Sequence, residues 1–256
     1  MRNISATIIT FNEEESIERC LRSLSWVKEI IVVDSYSTDK TVTLCKKYGA
    51  KVFLHPWTTY AQQKNYSVSK TSNDWIFSID ADEEISEELK NEILQLDDRN
   101  PPYVGYSISR PTRYLGRWIG RNNPNYQIRL FHKRHGKWNN VLVHERLLVK
   151  GTVGRLQSPL LHYSYKGIYD QLEKIKTYSE LSACELYSHN HRFSLYKIVL
   201  IFPKEFFSCY ILKKGFLDGI QGFIQSIFAA YSRFIVHARL YELERNHSKK
   251  ILRKKI

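Results

Sequence analysis

The chain has 256 residues, 43% of them hydrophobic, with 39 Lys and Arg against 26 Asp and Glu and a net charge of +13; that is length for one sizeable domain, or one and a half, around a real core. Its four cysteines (Cys20, Cys45, Cys184 and Cys209) are far apart and form no Cys-x-x-Cys pair, which argues against a zinc site or disulfide frame and for a reducing compartment. No run approaches the roughly 18 apolar residues of a membrane span, and Met1-Arg2-Asn3-Ile4 leads into a strand pattern rather than a secretory leader, so a cytoplasmic protein is expected.

Ile4 to Thr10 is a β-branched run and predicts a first strand. Asn12 with Glu15 three residues later is a capping-box pattern, and Ile17, Cys20, Leu21 and Leu24 follow at helical spacing. Glu29 to Asp34 holds a continuous apolar run, as in a strand buried on both faces of a parallel sheet. Ser35 to Asp39 is turn and cap chemistry, and the helix after it carries Val42, Leu44 and Cys45 and ends near Gly49. Lys51 to His55 predicts a third strand, Tyr60 to Ser69 a helix, and Trp75 to Asp80 a fourth strand. This alternation predicts a doubly wound, Rossmann-like α/β fold with a mostly parallel sheet. Pro101-Pro102 marks a boundary. Beyond it, residues 104–109, 127–131 and 141–149 are β-like, and from about Ile168 the chain is helical apart from Pro203 and the 215–222 region.

Charge divides along the same lines. Residues 1–100 carry −5, residues 101–155 carry +10 with one carboxylate among eleven Lys and Arg, and residues 192–256 carry +9. A basic surface favours phosphate or anionic lipid, and nucleic acid equally well.

In open α/β sheets, ligands bind outside the carboxyl ends of the strands. Three such ends are polar here: Thr10, Asn12 and Glu13 after the first strand, Asp34 with Asp39 after the second, and Asp80 and Asp82 of Asp80-Ala81-Asp82-Glu83 after the fourth. A carboxylate there accepts hydrogen bonds from a base or ribose, and Asp82 reaches a divalent cation that neutralises a diphosphate. The plainer alternative has Asp34 and Asp39 capping turns and residues 80–84 opening a helix.

These residues also carry a resemblance. Thr10-Phe11-Asn12-Glu13, the stretch from Val32 to Thr41, and Ile79-Asp80-Ala81-Asp82-Glu83 resemble the family 2, GT-A-fold inverting glycosyltransferases over the first hundred residues. The resemblance implies a nucleotide-sugar donor, usually a uridine diphosphate sugar, with Mg²⁺ or Mn²⁺. It also implies Asp34 on the uridine side, Asp80 near the ribose and Asp82 on the metal. Similar proteins place a basic residue near the nucleotide at the position of Lys64, though a solvated helix face is the alternative. Relatives usually have Gly where this chain has Tyr36, a turn position whose backbone need not demand positive φ.

In residues 101–155 the lone carboxylate is Glu145, within Val143-His144-Glu145. An inverting transferase needs a base for the acceptor hydroxyl, and Glu145 is either that base or a structural salt bridge. The lipopolysaccharide-core transferases of the family have a similar Val-His-Glu, and His144 is a candidate for the metal or diphosphate. Arg110, Arg113, Arg117, Arg121 and Arg129 interleave with Tyr114, Trp118, Tyr126 and Trp138, a mixture suited to a phosphorylated saccharide acceptor and also to single-stranded nucleic acid. Phe202-Pro203-Lys204-Glu205-Phe206-Phe207 and then Phe223, Ile224, Ile227, Phe228, Tyr231, Phe234 and Ile235 at helical spacing give two aromatic-rich amphipathic helices beside Lys213-Lys214 and a basic tail, as an interfacial membrane contact requires. The alternative is a core helix. Lys213-Lys214-Gly215-Phe216-Leu217-Asp218-Gly219 resembles the inner-core lipopolysaccharide β-1,4-glucosyltransferases that modify heptose.

The expected organisation is a nucleotide-sugar-binding part at 1–100, an acceptor-binding part of the same GT-A domain at 101–190, and a basic, membrane-associating helical region at 191–256. The expected protein is a metal-dependent hexosyltransferase, peripheral on the inner face of the inner membrane, moving glucose from UDP-glucose to a lipid-anchored, phosphorylated acceptor. The rivals are a polyprenyl-phosphate glycosyltransferase and a basic nucleic-acid-binding protein.

Overall fold

The computed structural model describes residues 3–97, 102–139 and 145–253, with side chains described to residue 246. The chain folds as two units, one of Met1–Arg113 with Pro124–Ser164, the other of Tyr114–Asn123 with Tyr165–Ile256.

In the first unit, β1 (Ile4–Thr10), β2 (Glu29–Asp34), β3 (Lys51–Leu54) and β4 (Trp75–Ser78) are parallel neighbours in the order β3-β2-β1-β4. The helices α1 (Ile17–Ser23), α2 (Thr41–Lys47) and α3 (Tyr60–Ser69) connect them in turn. Ile31, Val32 and Val33 of β2 have no exposed surface, as an apolar strand covered on both faces must. On β4, Ile76 and Phe77 point to opposite faces. Phe77 joins the larger core with Ile8, Ile17, Leu21 and Val32, while Ile76 packs with Ala61, Phe131, Trp138 and Leu147.

After β5 (Glu83–Ile85) and α4 (Glu87–Gln95) come the short strands β6 (Gly105–Ser109), β7 (Thr112–Tyr114), β8 (Arg117–Ile119), β9 (Tyr126–His132), β10 (Gly136–Trp138), β11 (Leu147–Val149), β12 (Val153–Arg155) and β13 (Leu160–His162). The main sheet continues past β4 through antiparallel β9, antiparallel β6 and parallel β12. The sheet is thus mostly parallel, as expected from the βα alternation. In a smaller sheet β13 pairs antiparallel with β5 and parallel with β7, where His162 lies opposite Thr112.

Two local expectations are corrected. The capping box does not form. Asn12 adopts φ +53° and its Oδ1 accepts from the Thr38 backbone N–H at 2.9 Å, tying the loop after β1 to the loop after β2, while α1 starts behind Ser16 with no side-chain cap. Tyr36 adopts φ +64°, a left-handed conformation that costs a residue with a Cβ about 1–2 kcal/mol; this turn does demand the backbone that glycine supplies freely.

In the second unit, α5 (Ile168–Ser188), α6 (Leu195–Phe207) and α7 (Gly219–Arg253) are the principal elements. Pro203 does not interrupt α6; it is exposed, and the helix runs through it into a π-helical turn, Ser208–Leu212. The interruption at 215–222 is real. A 3-10 turn, Gly215–Asp218, leads into α7, and a Cβ on Gly222 would stand 1.9 Å from the Gly215 carbonyl oxygen, so only glycine fits. Asp218 Oδ2 accepts from the Gly120 N–H at 3.0 Å, and Tyr114 donates to Gln171, which donates to Gln225. These bonds tie the 114–123 excursion to the helices. Among the described residues, no helix is long and apolar enough to cross a membrane.

Candidate active site

The predicted strand-end residues lie where the parallel strands end, in the first unit. Thr10 and Asp34 are register neighbours on β1 and β2. Asp34 is fully buried: Oδ2 accepts from Thr10 Oγ1 at 2.9 Å and Ser37 Oγ at 2.5 Å, and Oδ1 from the Ser37 N–H at 2.8 Å. Ser37 Oγ in turn accepts from the Asn12 N–H. The backbone of Glu13 donates to Thr41 Oγ1 and accepts from Ser16 and Ile17, closing the turn that leads into α1. Asp39 accepts from the backbones of Thr41 and Glu14. Thr10, Asn12 and Asp34 therefore form one bonded loop cluster.

A second cluster surrounds Asp80. The Glu83 N–H donates to the Asp80 carbonyl at 3.0 Å, and the Asp80 N–H donates to Glu83 Oε2 at 2.8 Å, closing Asp80-Ala81-Asp82-Glu83 into a tight turn. This is no helix start; α4 begins later, capped by Ser86. Glu83 is fully buried and paired with Arg110 and, at 2.7 Å, with Arg129. Asp80 contacts Arg129 at 2.8 Å, Lys64 at 3.0 Å and Arg110 at 3.4 Å. Burial pushes the Asp80 carboxyl up, but the Arg129, Lys64 and Arg110 charges outweigh it and hold the group well below the usual carboxylate range. Arg129 feels the converse: burial disfavours its charge, while Asp80 and Glu83 raise its pKa.

Lys64 links this cluster to Glu145. Its ammonium lies 3.0 Å from Asp80 Oδ1, 2.8 Å from Glu145 Oε1 and 4.6 Å from the Trp138 ring centre. Asn65 fixes Trp138 from the next position of α3 by a reciprocal pair of 3.0 Å bonds. Lys64 is buried, so it does not sit on a solvated helix face.

Asp82 faces His162, whose Nε2 lies 3.3 Å from Oδ2. Burial opposes ionisation of Asp82, but the hydrogen bond and charge interaction with His162 outweigh it and lower the pKa. Thr112 Oγ1 lies 3.1 Å from the other ring nitrogen, Nδ1. The Nε2–Asp82 bond requires the proton on Nε2; a cation would take its place with the other tautomer, Nδ1 donating to Thr112 and the Nε2 lone pair free, as in metal-binding histidines. These two side chains would suit a divalent cation. No group of three potential ligands occurs among the described residues, and His144 lies outside them.

Sequence reasoning missed His162, Glu83 and the pairing roles of Arg110 and Arg129. The interleaved cations and aromatics do not make one open surface: Arg129, Tyr114 and Trp138 are buried, and Tyr126 lies beneath the Arg155 guanidinium at 4.1 Å.

A mostly parallel α/β sheet with acidic strand ends and a clamped Asp-x-Asp turn defines a GT-A glycosyltransferase. The fold is similar to that of S. aureus TarS 1–349, a crystal structure in complex with UDP-GlcNAc, with a TM-score of 0.51, 14% identity and coverage of 96% of this chain and 92% of that one. Residues 5–149 match the description of Glycosyl transferase family 2, and the chain belongs to that family. It is 34% identical to an uncharacterized glycosyltransferase of Rickettsia typhi, covering 95% of this chain and 88% of the relative. It is 30% identical to the lipopolysaccharide core biosynthesis glycosyltransferase LpsC of Rhizobium meliloti, covering 93% and 92%.

Proposed function

We propose that this glycosyltransferase inverts the anomeric centre of a UDP-hexose, UDP-glucose in this reading, and forms a β-glycosidic bond to an inner-core heptose of lipopolysaccharide. The acceptor is lipid-anchored and phosphorylated, met at the inner face of the inner membrane. Likeness to LpsC over nearly the whole chain supports the acceptor class. The observation that carries the catalytic reading is that Glu145 joins the Asp80 cluster through the buried Lys64, which brings the lone carboxylate of residues 101–155 to the Asp-x-Asp turn.

In this reading the loop cluster of Thr10, Asn12, Glu13 and Asp34 holds the uridine, and Asp80 and Lys64 hold the ribose and phosphate. Asp82 and His162, with His144 as a further candidate, hold Mg²⁺ or Mn²⁺, which when bound offsets charge on the departing diphosphate. Glu145 takes the proton from the acceptor hydroxyl as that oxygen attacks the anomeric carbon.

The test is a donor screen of the purified protein with Mn²⁺ against a truncated lipopolysaccharide acceptor, the linkage being read by NMR. A β-linked hexose on heptose is expected. Failure to bind or turn over any nucleotide sugar would overturn the proposal. Undiminished transfer by Glu145→Gln, with a polyprenyl phosphate as the accepted substrate, would move the assignment to that acceptor, whose oxygen needs no base.

A further inference from the structure

The two long apolar stretches of the helical unit differ in what covers them. On α7, Ala230, Val236 and Leu240 are buried, and Arg239 is clamped to Glu180 of α5 by bonds of 2.5 and 3.0 Å. That face is packed in the unit, while the predicted apolar stripe of α7 is only partly covered, with Phe223, Tyr231 and Phe234 exposed. No residue of α6 is buried. Its inner side, with Ile198, Ile201, Phe202 and Phe206, is partly covered, and Phe206 meets Phe223 edge-on at 5.7 Å. The opposite side is open: Tyr196 is 75% exposed, Val199 62%, Phe207 63%, and Leu212 of the following turn 75%.

An apolar helix face is ordinarily covered, and a stripe like this on a soluble surface marks a contact. Charge says what the contact is. Residues 194–217 contain four lysines, Lys197, Lys204, Lys213 and Lys214, and one carboxylate, Glu205, which lies 3.8 Å from Lys213. All four lysines are exposed. Long cationic side chains beside exposed aromatic and aliphatic groups suit a plane that is apolar on one side and anionic on the other. Among the described residues no helix is long and apolar enough to cross a membrane.

We propose that α6 and the turns after it, through Leu217, form the membrane-binding element, lying in the headgroup plane of an anionic bilayer with Tyr196, Val199, Phe207 and Leu212 inserted and the lysines at the phosphates. This deepens the reading of a lipid-anchored acceptor by naming the element that meets the lipid. It predicts association without donor or acceptor.

The test is co-sedimentation of the full chain with phosphatidylcholine vesicles with and without phosphatidylglycerol, no nucleotide sugar being present. Binding is expected to require phosphatidylglycerol. Val199→Glu with Phe207→Glu should weaken it by roughly tenfold or more, and Lys197→Gln with Lys204→Gln by about fivefold per lysine, while far-ultraviolet circular dichroism stays unchanged because all four positions are exposed. Wild-type protein that remains in the supernatant with anionic vesicles overturns the proposal. So does a dimer in vesicle-free ultracentrifugation that the Val199→Glu, Phe207→Glu variant dissolves, which assigns the stripe to a second copy of the chain. Neither result bears on glycosyl transfer, which the donor screen tests separately.

Discussion

Glu83 is a fully buried carboxylate whose two oxygens serve three groups: the Asp80 N–H, Arg110 and Arg129. Replacing it with Gln leaves an acceptor for the N–H but removes the counter-charge of two guanidinium groups. Breaking such a network from one side costs about 3 kcal/mol, and the Asp-x-Asp turn loses its clamp. Glu83→Gln should therefore lower stability by that amount in urea denaturation and lower kcat with it; wild-type values of both would free Glu83 of this role. His162→Gln addresses the cation instead. It leaves the turn intact and should raise the Mn²⁺ concentration for half-maximal transfer by roughly tenfold or more, with no matching loss of stability. Neither residue is conspicuous in the sequence. Glu83 reads as one more acid in an acidic run, and His162 as an isolated imidazole, because their partners come from the link after β6 (Arg110), from β9 (Arg129) and from β7 (Thr112). Asp34, Asp80 and Asp82 are legible because strand ends gather ligands, and a strand end is a local feature.

At the scale of elements, the first hundred residues are nearly transparent. β1, β2 and α3 have the predicted bounds, since period, β-branching and turn chemistry all agree there. Beyond residue 101 the strands are short, and β9 inserts between β4 and β6, a pairing set by long-range register that no local pattern encodes. The same limit applies to the helices: apolar spacing identifies α6 and α7 alike, but only packing shows that α7 buries one face and α6 no residue. The turn between them is the exception, because its glycines have a steric reason. Gly222 faces the Gly215 carbonyl and Gly215 the Cys209 carbonyl. Both neighbours are backbone, so a side chain cannot be accommodated by a rotamer change. Gly222→Ala should cost roughly 3 kcal/mol through overpacking and lower the thermal midpoint, whereas Gly167→Ala, with open space around its Cβ position, should leave it within error. Equal midpoints would show that the turn yields without cost.

For the whole molecule, acid is the condition that separates fold from site. Asp39, Asp80 and Asp82 all have depressed pKa values, and all belong to the acidic first hundred residues. Glu29 stands apart at the start of β2, the end opposite Asp34. Burial pushes its pKa up, but Lys51 at 2.8 Å, Ser5 at 2.6 Å and the Ser72 N–H at 2.9 Å overcome this and lower it from 4.5 to about 2. A depressed folded-state pKa means that the unfolded chain binds the proton first, so the stabilisation is complete above pH 4.5 and is lost as pH falls through about 2. Glu29→Gln, which no step of the proposed chemistry uses, should therefore be less stable than wild type by about 2 kcal/mol at neutral pH. That gap should close on acidification from 4.5 towards 2, while UDP-glucose affinity at neutral pH stays that of the wild type. Urea midpoints across the pH range, with donor titrations at neutral pH, measure both. A gap that widens in acid would reverse the sign and remove the Lys51–Glu29 pair from the account of stability. Weakened donor binding at neutral pH would show that the two ends of the sheet are coupled.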